Sequence, residues 1–185
     1  MSAAVTIQDV VPILTQPGGS RLVIVKIVTS EPGLYGLGCA TFTQRLFAVE
    51  AAIERHLKPF LIGRDVSRIE ELFRMMMVHG YWRNGPVLNN AISGIDQALW
   101  DIKGKMANMP VYQLLGGKCR EAANVYVHAN GRTPQEVADQ VQFAVDVEPV
   151  KLFFLEDALA PEDIAWFARI REQCATPLAM GELFN

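Results

Sequence analysis

The sequence has no run of Lys or Arg, no apolar stretch near the roughly 20 residues that span a bilayer, and only three cysteines and three histidines. Each absence removes a class of function. Without a basic patch, and with a formal net charge of -3, the 185-residue chain has no electrostatic footprint for nucleic acid. The N-terminal stretch, Met1 to Val10, has neither a basic start nor a long apolar run, so a cytoplasmic protein with no membrane partner is expected. Cys39, Cys119 and Cys174 are odd in number, widely spaced and without a CxxC pair or a matching His pattern. Buried free thiols are expected, in place of disulfides or a zinc site. What the chain does have is core material: half of it is hydrophobic and 20% charged, enough for one ordinary core or two small ones.

Two different grammars follow one another along the chain. In "RLVIVKIVTS" Val23, Val25 and Ile27 alternate with Ile24, Lys26 and Val28, and Pro32, Gly33 and Gly36 supply a turn before "GLGCATF". That pattern predicts a β-hairpin. From Arg45 the period lengthens, placing Leu46, Val49, Ala52, Ile53 and Leu57 on one helical face that Pro59 is expected to end. Further helices are expected over 67–78 and 87–107, the second carrying Ile92, Ile95, Leu99, Ile102 and Met106 three or four residues apart. After "LLGGKCREA" strands and helices alternate: "NVYVHA", a helix opened by Thr133, Pro134 and Glu136 as a capping box, a strand over 150–155, a helix over about 161–174, and "PLAMGE". This is βαβ order, which implies a parallel sheet. The boundary is placed near Gly116 to Glu121, giving an α+β domain over 1–117 and an α/β domain over 118–185.

The chemistry is expected at the strand ends. The apolar run Leu152, Phe153, Phe154, Leu155 stops at Glu156 and Asp157, and the next strand stops at Glu182. In parallel α/β folds ligands bind at the carboxyl ends of strands. Two carboxylates on one rim repel unless one is protonated or a cation lies between them, and hard oxygen donors suit Mg²⁺ better than zinc. A pair of solvated acids remains the plain alternative. His128, near the end of the first strand, would face the same rim, either as a structural hydrogen-bond former or in contact with a ligand. His56 and His79 are expected in surface or packing roles, and "YWRNGP", Tyr81 to Pro86, as a packed connection with a salt bridge. Asp96 and Asp101 lie about 140° apart around a helix and do not make a metal pair. They are expected to cap, or to pair with Arg or Lys.

The run "AISGIDQALWDIKGKMANMPVYQLLGG", Ala91 to Gly117, closely resembles the mandelate racemase and muconate lactonizing group of the enolase superfamily, through Trp100, Asp101, Lys103, Gly104, Lys105, Pro110, Leu114, Leu115, Gly116 and Gly117. "YWRNGPV", "LIGRD" and "VYVHANGRTPQEVAD" narrow the likeness to mannonate dehydratases and their starvation-sensing relatives. The resemblance implies an α+β capping domain followed by part of a TIM-type (β/α) barrel. It further implies Mg²⁺ held at strand ends, with Glu156 and Glu182 as metal ligands, and His128 and Thr43 as substrate contacts. The implied reaction is that of a hydro-lyase: abstraction of the proton next to a sugar-acid carboxylate, then loss of hydroxide to give a 2-keto-3-deoxy acid. A homo-oligomer is the expected assembly.

The chain also departs from the family. The resemblance implies two further strands between the helix at Pro134 and "VEPVKLFFLED", bearing the Tyr and Arg that act as base and a DxH pair that supplies the first metal ligand and an acid. Here that block is absent, and the strands that follow Glu182 in the family are absent as well. No catalytic base is therefore assigned to this chain. Thr43 stands where efficient mannonate dehydratases resemble one another in having Asn. Two other readings stay open: a non-catalytic binding or regulatory module, and another reaction of the superfamily, such as racemisation or cycloisomerisation.

Overall fold

The computed structural model describes residues 4–122 and, beyond them, the short segments 127–128, 132–133, 135–140, 155–156, 168–169, 171–172 and 178–179. The chain divides into two units, Met1–Lys118 and Cys119–Asn185.

The centre of the first unit is β2 (Leu22–Thr29), where burial alternates so that Val23, Val25, Ile27 and Thr29 face the interior. It pairs antiparallel with β3 (Tyr35–Cys39) on one side and with β1 (Ile7–Thr15) on the other, in the order β1-β2-β3. Thr29 closes the β2–β3 turn, its hydroxyl donating to the Leu34 carbonyl at 2.8 Å and accepting from the Glu31 N–H at 3.2 Å. β1 adds a strand that alternation alone does not reveal. Its register slips between Ile7 and Asp9, and Pro12 sits inside it opposite Val25. A bulge breaks the period of two, and proline is tolerated there because β1 is an edge strand.

Helices cover one face of this sheet. α1 (Leu46–Ala52) continues through a π turn over Ile53–Leu57 into α2 (Lys58–Leu61), burying Leu46, Val49, Ile53, Leu57 and Leu61. The helix does not end at Pro59. The wide π turn just before it re-routes the carbonyls that a proline ring would strike and the bonds it cannot donate to. α3 (Ile69–Val78) follows, entered by a turn in which the Ser67 N–H donates to Asp65 Oδ1 at 2.8 Å and holds that carboxyl below the usual aspartate range. Lys58 ties this layer to β1, lying 2.9 Å from Asp9 and 2.8 Å from Glu54, and its ammonium is held above the ordinary lysine range chiefly by Glu54.

α4 (Pro86–Ala107) starts with proline at its first turn and ends on Asn108 in the left-handed region, φ 51°. Ile92, Ile95, Leu99 and Ile102 are buried to 1% exposure or less, whereas Met106, in the last turn, is 48% exposed. The rest of its contact surface is small residues. A Cβ on Gly36 would fall 2.0 Å from the Ala98 carbonyl oxygen, and one on Gly38 would fall 2.0 Å from that of Gly94, so the helix lies directly on the β3 backbone. A short α5 (Val111–Leu114) follows.

In the second unit β4 (Val127–His128), β5 (Leu155–Glu156) and β6 (Leu178–Ala179) form a parallel sheet in that order. Residues 135–140 are helical, with Val137 buried. The Glu136 N–H donates to Thr133 Oγ1 at 3.2 Å, and Glu136 Oε2 accepts from the Arg132 N–H at 2.7 Å, one residue ahead of the cap itself. The free cysteines among the described residues, Cys39 and Cys119, are exposed, contrary to the expectation of buried thiols. On a short edge strand and past the last turn of a unit, neither has a core to enter.

Candidate metal and substrate site

The candidate rim is built by β4, β5 and β6. In the parallel register Val127, Leu155 and Leu178 stand level, and one step further His128, Glu156 and Ala179 do. His128 and Glu156 therefore occupy paired positions on neighbouring strands, about 4.8 Å apart in the hydrogen-bonding direction. Paired positions on neighbouring parallel strands thus carry a residue type that supplies a hard oxygen donor and one that can donate or accept a proton. Glu182 comes three residues after Ala179 in the chain and lies outside the described residues, as do Asp157 and Pro134. Among the described residues no three His, Cys, Asp or Glu side chains come together as a metal centre.

Thr43 lies in the first unit, on the turn between β3 and α1. It is exposed and donates to Gln44 Oε1 at 3.0 Å. His56 is exposed on the π turn, and His79 bonds the Met76 carbonyl at 2.7 Å with its ring 5.6 Å from that of Phe60. "YWRNGP" is not a packed connection. Tyr81 and Trp82 are 91% and 89% exposed and meet edge to face at 5.5 Å, and Arg83 makes no ion pair among the described residues. Asn84 and Gly85 turn this segment outward, with φ of 71° and 88°.

The two aspartates of α4 part company. Asp101 Oδ2 accepts the Leu37 N–H and the Lys105 ammonium, both at 2.8 Å. Asp96 is half-buried, and its carboxyl is pushed above the ordinary range, first by burial and then by the charge of Glu70. Sequence reasoning compared these two positions and so missed the row that matters, Gln97, Asp101 and Lys105. Its signal was a spacing of four, which puts three polar groups along one side of a helix.

Comparison with known proteins gives the context. The N-terminal domain model of the mandelate racemase / muconate lactonizing enzyme family matches residues 3–116. D-galactonate dehydratase family member RspA of Pantoea ananatis is 40% identical over 272 residues, covering 96% of this chain and 65% of the relative. That span exceeds the 185 residues of the chain, so the relative carries a block here that has no counterpart. A D-galactonate dehydratase family member of Catenulispora acidiphila is 56% identical over 130 residues, 70% of this chain and 30% of that one. The solved structure of an enolase from Pantoea ananatis with bound D-gluconate and Mg superposes with a TM-score of 0.73 at 39% identity, covering 97% of this chain and 66% of that one. The chain thus spans just under two thirds of RspA. With its antiparallel sheet carrying helices on one face, and a family match over most of its length, the chain belongs to the mandelate racemase / muconate lactonizing enzyme family of the enolase superfamily.

Proposed function

We propose that the chain derives from a Mg²⁺-dependent acid-sugar dehydratase of the mannonate or gluconate type, with Glu156 and Glu182 as metal ligands and His128 and Thr43 as substrate contacts. The observation that carries this reading is the register of β4 and β5, which sets His128 level with Glu156 at a parallel rim. The donor chemistry fits the ion: a carboxylate at the end of a strand is a hard ligand of the kind Mg²⁺ prefers. When bound, Mg²⁺ supplies Lewis-acid polarisation of a substrate carboxylate. The chain's own part is to hold and orient. Glu156 and Glu182 would hold the ion, and His128 would hydrogen-bond the sugar acid, with Thr43 as a second substrate contact. Removal of the proton next to the carboxylate calls for a base, and none is assigned to this chain, so turnover depends on residues in the block that RspA carries in addition.

The test is a panel of sugar acids, including D-gluconate, D-mannonate and D-galactonate, incubated in Mg²⁺ with a gene product that includes that block and read for a 2-keto-3-deoxy acid. Formation of that product from one of them is the expected outcome. A folded protein that dehydrates none of them contradicts the reading. A second reading is a non-catalytic binding module. What favours it is the first unit's own apolar core, which draws on β1, β2, α1, α3 and α4. It predicts a folded protein by circular dichroism with no turnover.

A further inference from the structure

The sheet of the first unit has two edges, and the structure treats them differently. On β1 the protection comes from a register slip at Asp9, a proline that has no N–H to offer, and the backbone of Gly63 and Arg64, which bonds Ile7 at 2.8 and 2.9 Å. On β3 it comes from α4. The even-numbered residues of this segment bond inward, as the Ala40 N–H to the Val23 carbonyl and the Leu34 carbonyl to the Thr29 N–H show. Tyr35, Leu37 and Cys39 therefore turn their backbone groups outward. Gln97 meets Cys39 as a strand residue would, accepting its N–H at 3.1 Å and donating to its carbonyl at 3.3 Å. Asp101 takes the Leu37 N–H at 2.8 Å, and Lys105 donates to the Tyr35 carbonyl at 2.7 Å while lying 4.3 Å from the centre of the Tyr35 ring.

We propose that the Gln97, Asp101 and Lys105 row of α4 stands in for a fourth strand and closes the β3 edge against a second copy of this chain. Three features carry the argument. The three side chains recur every four residues and meet outward groups that recur every two, so one helix face matches one strand edge. The match depends on Gly36 and Gly38, which let the helix lie close enough for side chains as short as Asp to reach the backbone. The edge beneath is self-complementary. Its outward groups at 35, 37 and 39 are centred on Leu37, so a copy turned by a two-fold axis would present acceptors to its donors and donors to its acceptors. Leu37, 45% exposed, would then lie against its own counterpart. The row also accounts for the amide, carboxylate and ammonium groups along this side of α4: each supplies what the backbone group beneath it lacks.

The test uses the full chain. A Gln97→Ala/Asp101→Ala variant is expected to self-associate at least about tenfold more tightly than the parent in sedimentation velocity. Adding Leu37→Pro, which removes the outward N–H at a position that does not bond β2, is expected to return it to the parent's behaviour. Lys103→Ala, on the same helix but outside the row, is expected to behave as the parent. No tightening in the double variant, or tightening that survives the added proline, would overturn the proposal. Should the double variant not fold, amide exchange on the unmodified chain decides. The Leu37 and Cys39 amides are expected to exchange as slowly as those of Gly36 and Gly38, and exchange at the rate of an open edge would contradict the closure.

Discussion

The first unit and the parallel strands of the second carry different duties. In the first, 21 buried side chains from β1 to α4 form one apolar cluster, and polar groups at the sheet edges are met by named partners. In the second, the described strands β4, β5 and β6 run parallel, with His128 and Glu156 at paired positions of the register. The difference teaches where to look for each kind of effect. Changes in the apolar core of the first unit should read out as stability, and changes at Glu156 as cation affinity.

The largest way to sharpen that contrast is Leu99→Ala. Leu99 is fully buried on α4, and its truncation is expected to cost about 2–5 kcal/mol in chemical denaturation while leaving any Mg²⁺ response of the folded protein in place. Next comes Gly38→Ala. The added Cβ meets the Gly94 carbonyl at 2.0 Å, backbone that cannot step aside, so α4 must move off β3 at a cost of about 1–3 kcal/mol. A loss near zero would show that the helix is not seated on the strand backbone.

The smallest effect is a matter of pH. Because the Asp96 carboxyl is raised in the folded chain from 3.8, its protonated form contributes stability that is complete below that value and lost as pH rises through the raised one. Asp96→Asn removes the charge that burial and Glu70 disfavour. It is expected to melt higher than the parent at pH 7, by at most about 1 kcal/mol because the groups meet water. The gain should vanish in acid. A gain that is the same at both pH values would remove the charge from the explanation.

Much of the first unit is legible in the residue pattern alone. Val23, Val25 and Ile27 alternate without interruption, and Ile92, Ile95, Leu99 and Ile102 keep a helical period that burial confirms. β1 is not legible, because the slip at Asp9 and Pro12 each break the period of two by which a strand is known. Pro59 misleads for a different reason: one π turn, invisible to a fixed period, lets the helix run through it. The edge row escapes because it is polar, and periodicity is read from apolar residues. The candidate site is legible in another way. An apolar run that stops at a carboxylate has a physical meaning on its own, but pairing it with a neighbouring strand requires the fold. His128 and Glu156 are separated by 28 positions in the chain and are level only in the sheet.

The central claim is that the carboxyl end of β5 belongs to a Mg²⁺ site. Its most direct test is calorimetric titration of Mg²⁺ into the full chain and into Glu156→Gln, with the fold of each checked by circular dichroism. The account predicts millimolar binding in the parent, lost in the variant without loss of fold. Equal Mg²⁺ binding by the two chains would contradict it.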